Sequence, residues 1–144
     1  MYKYGGSGMR VYENKLGVEE FCDLQESVGF GRPNEKQIKI GLDNSIYTIS
    51  IEVDNRIVGM GRLLGDNARI FYLQDIFVNP NYQKRGIGTV IVEKLLMYIE
   101  NVRIKDCDIM IGLMAAKGKE EFYKKFGFKS RPNDYQGCGM MMIN

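Results

Sequence analysis

Apolar and polar positions recur along this chain with two periods, and the switches between them mark its elements. Met9 to Glu13 reads as a short strand, while Val18 to Val28 carries apolar side chains at 18, 21, 24 and 28, the spacing of one helical face. Gly29-Phe-Gly-Arg-Pro33 breaks that helix. Asn34 then stands where it can cap a second short helix, with Gln37 three residues on in the capping-box position. Ser45 to Val53 and Ile57 to Leu64 are β-rich runs around Asp54-Asn55-Arg56, which predicts an antiparallel hairpin. After a turn at Asp66-Asn67, Arg69 to Val78 mixes alternation with continuous apolarity, the pattern of a central strand. Asn79-Pro80-Asn81 ends it, because proline has no N–H to give a ladder.

From Ile87 the apolar residues at 91, 92, 95, 96 and 99 form a stripe wide enough to cover a sheet, with Glu93, Lys94 and Glu100 pointing outward. A helix is therefore predicted to about Glu100. Asp108 to Met114 predicts a buried strand, Lys117 to Phe126 a short helix stopped by Gly127, and Met140 to Ile143 a terminal strand. The order is strand, two helices, three antiparallel strands, helix, strand, helix, strand. It predicts an α+β (mixed α/β) class, a sheet with helices on its faces, in a single domain over residues 1–144 with the Gly-rich residues 1–8 flexible.

Composition narrows the chemistry. The 144 residues include 44% hydrophobic ones, enough for one packed core without staples. There is no His, so Ser/His/Asp and Cys/His nucleophiles, a His base and an HExxH zinc site are all excluded. Cys22, Cys107 and Cys138 are too far apart for a CxxC pair or a four-ligand zinc cluster, and no metal is expected. They read as small core or surface residues in a reducing compartment, the cytoplasm. No apolar run approaches the roughly 20 residues of a membrane helix, and the N-terminus lacks the apolar core of a signal peptide. Against 20 Lys and Arg stand 18 Asp and Glu, a balance that argues against a nucleic-acid partner. Any anion site must be local.

One such site is Gln83-Lys84-Arg85-Gly86-Ile87-Gly88, between the strand ending at Val78 and the following helix. The first turn of a helix has unpartnered N–H groups and a partial positive charge, which favour an anion. Glycine at 86 and 88 lets a bulky diphosphate approach the backbone, and Lys84 and Arg85 add two cations. A P-loop would need GxxxxGK[ST], and a dinucleotide GxGxxG would need glycine where this chain has Ile91. By itself, GxG is better served by a tightly packed helix start with a solvated basic face.

The segment Asp75-Ile-Phe-Val-Asn-Pro-Asn-Tyr-Gln-Lys-Arg-Gly-Ile-Gly88 resembles the acetyl-CoA signature Q/RxxGxG/A of the GNAT family of N-acetyltransferases, and Glu121-Phe-Tyr-Lys-Lys-Phe-Gly-Phe128 is similar to the family's FYxxxGF element. The likeness covers about residues 45 to 130. Ser27-Val-Gly-Phe-Gly31 and Val58-Gly-Met-Gly-Arg62 are similar to a branch that includes plant-type serotonin (arylalkylamine) acetyltransferases. The resemblance implies a mostly antiparallel twisted sheet with a splayed parallel pair, here Tyr72 to Val78 and Asp108 to Met114, and acetyl-CoA in the gap. Backbone groups of Phe77 and Val78 would hold the pantetheine amides. The amides of Arg85, Gly86, Ile87, Gly88 and Thr89, with Gln83 and Lys84 beside them, would hold the pyrophosphate. Tyr123 matches the tyrosine that protonates the departing CoA thiolate. Ala116 stands where the family often has Asn, so one cofactor contact is missing or replaced.

The acceptor implied is a small primary amine. Such an amine, with a pKa near 10.4 as in Lys, is mostly protonated at pH 7, so a base is needed. Asp75 is the first candidate, directly or through water, with Glu52 and Tyr72 outside options; an equal alternative makes Asp75 a buried structural carboxylate paired with Arg62 or Arg69. Gly29 to Leu42 and Arg131 to Gly139 are expected to set the acceptor. Met140-Met-Met142 reads as core or dimer-interface filler, which leaves a homodimer open. The competing reading is a catalytically silent acyl-CoA-binding or sensing module.

Overall fold

The computed structural model describes the backbone of residues 2–4 and 7–144 and the side chains from residue 8 onward. The chain divides into two compact units, Met1–Ile111 and Gly112–Asn144. In the first, the strands β1 (Tyr2–Tyr4), β2 (Ser7–Glu13), β3 (Tyr47–Val53), β4 (Arg56–Gly65), β5 (Ile70–Val78) and β6 (Met110–Gly112, at its boundary) form one sheet in sequence order. β1 to β5 pair antiparallel. β6 lies parallel to β5 and is joined to its start by the Met110 N–H, which donates to the Arg69 carbonyl at 2.9 Å. Three helices complete this unit: α1 (Val18–Ser27), α2 (Glu35–Asp43) and α3 (Ile87–Val102). This is the mixed α/β class expected from the order of elements.

Side-chain alternation sends β4 to two different cores. On one face Gly59 and Gly61 let α3 lie close: a Cβ at Gly61 would stand 2.6 Å from Ile91 and one at Gly59 2.8 Å from Ile87. The α3 stripe Ile87, Ile91, Val92, Leu95 and Ile99 is fully buried there. On the other face Met60 joins Leu16, Phe21 and Leu24 of the α1 side, with Ile38 and Leu42 of α2 and Phe77 packed around them. Helices therefore cover both faces. Among the described residues no helix is long and apolar enough to cross a membrane.

Local signals explain most boundaries. Asp54 (φ 52°) and Asn55 (φ 61°) form the two-residue β3–β4 turn, where two left-handed residues match the strand twist. Asn34 caps α2 by accepting from the Gln37 N–H at 3.1 Å. The α1 helix ends in a Schellman motif: the Gly29 N–H bonds Glu26 O and the Phe30 N–H bonds Gln25 O, with Gly29 at φ 90°.

The second unit holds α4 (Glu120–Lys124), half the helix expected over 117–126; Gly127 at φ 97° does stop the turn that follows. Met140 to Ile143 do not form the expected strand. Strand propensity supplies no ladder partner, and these four side chains are 67–90% exposed. The strand expected over 108–114 shortens to β6. Of the stretch expected to be flexible, residues 1, 5 and 6 lie outside the described residues, and Tyr2–Tyr4 pair with β2 as β1.

Candidate active site

β5 ends where the Asn79 N–H donates to Val58 O at 2.8 Å. Alternation then turns the N–H and C=O of Val78 toward the outer edge of β5, away from β4. With only three residues, β6 accompanies the beginning of β5, and among the described residues no strand follows it along the outer edge at Phe77 and Val78. Gln83 is tied to that edge, its Nε2 donating to Val78 O at 2.9 Å. Between them Asn79 accepts from the Asn81 N–H and Pro80–Tyr82 make a single 3-10 turn.

The cradle follows directly. Lys84 at φ 60° and Gly86 at φ 86° place left-handed residues on either side of Arg85, the kind of backbone that turns successive N–H groups toward one concavity. Gly86 is the N-cap of α3 and no side chain caps the helix, so the amides of its first turn are left for a ligand. A Cβ at Gly86 meets nothing within 4 Å, leaving open space in front of the turn. Ile87 sends its side chain into the core, which fixes the backbone of the turn from behind. Lys84 and Arg85 are exposed, and the Arg85 guanidinium lies 5.8 Å over the Tyr82 ring. These residues fit a diphosphate: amides, helix dipole, two cations and room. The structure thus gathers Gln83, Lys84, Arg85, Gly86, Ile87, Gly88 and Thr89 at one end of β5, beside Phe77 and Val78.

Asp75 stands upstream on β5. Met60 pairs with Phe77 but Arg62 pairs with Gln74, so β5 carries one extra residue there, and Asp75 takes up the bulge at φ 53°. Its Oδ2 accepts from Arg62 Nε at 2.6 Å and its Oδ1 from Gln74 Nε2 at 3.2 Å. The sequence suggested the pairing with Arg62 but carried no sign of the bulge, which exists only in the register of two strands. It equally gave no sign that Phe30, presented by the Schellman turn, stacks on Phe77 with ring centres 5.7 Å apart. Arg32, beside that turn, is held by Asp23 at 2.7 Å and Glu19 at 2.9 Å.

In the second unit Tyr123 is half-buried, with the rings of Phe122 and Phe128 edge-on to its own at 5.0 and 6.1 Å. Burial pushes its phenol above the ordinary value, so the group keeps its proton throughout the neutral range. That is the state a proton donor needs.

The family model of an acetyltransferase (GNAT) domain matches residues 17–144. The chain belongs to the GNAT family of acetyltransferases. Among curated relatives, the uncharacterized N-acetyltransferase ycf52 of Pyropia yezoensis is 29% identical over 141 residues, 95% of this chain and 75% of that protein. The GCN5-related N-acetyltransferase 1 of Arabidopsis thaliana, chloroplastic by name, is 27% identical over 125 residues, 85% of this chain and 61% of its own length. A Staphylococcus aureus protein of unknown function, described as a probable acetyltransferase, superposes with a TM-score of 0.84 at 28% identity, covering 95% of this chain and all of that one. An aminoglycoside N-acetyltransferase solved with CoA shares the fold, with a TM-score of 0.66 at 16% identity over 91% of this chain and 95% of that one. The GNAT chain is thus an acetyl-CoA-dependent acyltransferase, and its uncapped helix start after β5 is the feature that suits an acetyl-CoA diphosphate.

Proposed function

We propose that this GNAT protein transfers acetyl from acetyl-CoA to a small primary amine by direct attack, with no acetyl-enzyme intermediate. The observation that carries this reading is the open turn at Lys84–Gly86 on the uncapped N-terminus of α3, adjoining the outward-facing edge at Val78. Phe77 and Val78 would align the pantetheine arm as an added strand, and residues 83–89 would hold the diphosphate. When bound, acetyl-CoA supplies the thioester. The chain supplies orientation and proton handling. The neutral amine would attack the carbonyl, its nitrogen would pass its extra proton to water, and as the carbon–sulfur bond breaks Tyr123 would give its proton to the sulfur. Solvent returns that proton.

Asp75 is the carboxylate we assign first to taking the amine's proton. Its bonds to Arg62 and Gln74 favour a second role, anchoring the bulge while water takes the proton. Asp75→Asn separates the two: loss of the acidic arm of the pH–rate profile identifies a base, whereas an unchanged profile with a raised KM for acetyl-CoA identifies an anchor. The acceptor is set, in this reading, by residues 29–42 and 131–139. A reducing compartment, the cytoplasm in this reading, suits the free cysteines at 22, 107 and 138. The test of function is CoA-thiol release over a panel of aryl- and alkylamines, polyamines and amino sugars. CoA binding without thiol release would identify a sensing module instead.

A further inference from the structure

Arg62 sits in the middle of β4, where Val58, Gly59, Met60, Gly61 and Leu63 are all buried, and a cation in such a place needs partners on several sides. It has them. Besides Asp75, it reaches the Gly41 carbonyl at 3.2 Å and Ser45 Oγ at 3.3 Å through Nη1, and its guanidinium lies 5.7 Å from the centre of the Phe21 ring. The Arg62 and Asp75 side chains are only 15% and 12% exposed. Glycine at 41 makes the room, for a Cβ there would stand 3.2 Å from Nη1. One planar group thus joins the last turn of α2, the ring of α1 and the bulge of β5.

We infer that Arg62 is a positioning residue for the transfer, fixing the β5 bulge and with it the aim of the strand end at Phe77 and Val78. This rests on the acetyl-CoA reading of that strand end. Asp75 is held in a left-handed conformation that non-glycine residues adopt sparingly, and such a conformation persists where its surroundings over-determine it. Arg62 and Gln74 are those surroundings. Without the guanidinium, other bulge geometries become accessible two residues from the cofactor edge. The same group ties in α2, a helix with no fully buried side chain, through the Gly41 carbonyl. Lysine cannot substitute, since a single ammonium lacks the planar fork that spans a carboxylate and a carbonyl.

The experiment is calorimetric titration with CoA, paired with thermal melts, of wild type, Arg62→Met, Arg62→Lys and Ile99→Ala. Ile99 is buried at the far end of α3 and serves as a control for lost stability alone. Arg62→Met should bind CoA about tenfold more weakly, the scale of one charge-assisted hydrogen bond. Arg62→Lys should fall between it and wild type, and Ile99→Ala should melt earlier yet keep wild-type affinity. If Arg62→Met is too unstable to titrate, Arg62→Lys and Gly41→Ala, which crowds Nη1, carry the test, and each should weaken binding. Wild-type affinity in Arg62→Met, or in both Arg62→Lys and Gly41→Ala, overturns the role of Arg62 alone. A wild-type chain that binds no CoA overturns the acetyl-CoA reading and this role with it.

Discussion

Gly86→Glu separates the cost of a side chain to the fold from its cost to the cradle. At φ 86° an L residue loses about 1–2 kcal/mol relative to glycine. A Cβ at this position meets nothing within 4 Å, so no clash adds to that strain. For a chain of this size the melting temperature should fall by about 3–8 °C. Binding should suffer more. A carboxylate about 6 Å from a phosphate repels it by roughly 0.7 kcal/mol in water and roughly 2.8 kcal/mol at an effective dielectric of 20. Salt screening trims the contribution of the second phosphate charge. A net loss of about 1–3 kcal/mol corresponds to CoA affinity weakened about 5- to 150-fold. Gly86→Ala shares the strain without the charge and should show the same shift in melting with a smaller loss of affinity. Calorimetry and melts on the three proteins decide the matter. Wild-type CoA affinity in Gly86→Glu would refute the placement of the diphosphate.

The part of this fold legible beforehand is the part governed by local chemistry. The stripe at 91, 92, 95, 96 and 99 announces α3 because a helix that covers a sheet must be apolar on one face, and the structure buries Ile91, Val92, Leu95 and Ile99 and half-buries Leu96. Asp54-Asn55 and Asn34 were readable for the same reason, as side chains and backbones suited to turns and caps. What stayed hidden depends on partners distant in sequence. The Asp75 bulge exists only because Arg62 pairs with Gln74 while Met60 pairs with Phe77. The stacking of Phe30 on Phe77 joins a helix terminus to a strand well downstream. Residues 140–143 have the composition of a strand, yet composition does not provide a neighbour. Of the site, GxG and its basic flank were visible as a motif; the left-handed Lys84 and the bond from Gln83 to Val78 were not.

Tyr123→Phe should lower kcat about 10²- to 10⁴-fold with little change in CoA affinity, since it removes one proton donor and keeps the ring packing; stopped thiol-release assays check it, and wild-type kcat would exclude Tyr123 as the acid. Because burial raises the Tyr123 pKa, the basic limb of the wild-type profile should lie above the ordinary phenol range, where the phenol loses its proton; a basic limb below that range would assign the acid elsewhere. Gly61→Ala should destabilise the fold by about 1–3 kcal/mol, because its Cβ would sit 2.6 Å from Ile91 and 3.2 Å from Leu95 in a closed core; denaturant midpoints measure this, and an unchanged midpoint would contradict the close seating of α3 on β4.

Acetyl transfer from acetyl-CoA to a primary amine is the activity we propose for this GNAT chain. Its most direct test is to incubate the purified protein with acetyl-CoA and each amine of the panel, then quantify free CoA thiol and acetylated amine by mass spectrometry. For at least one amine the two products should appear in equal amounts, faster than without protein, while the protein itself stays unacetylated. CoA bound tightly with no acetylated amine from any member of the panel would contradict it.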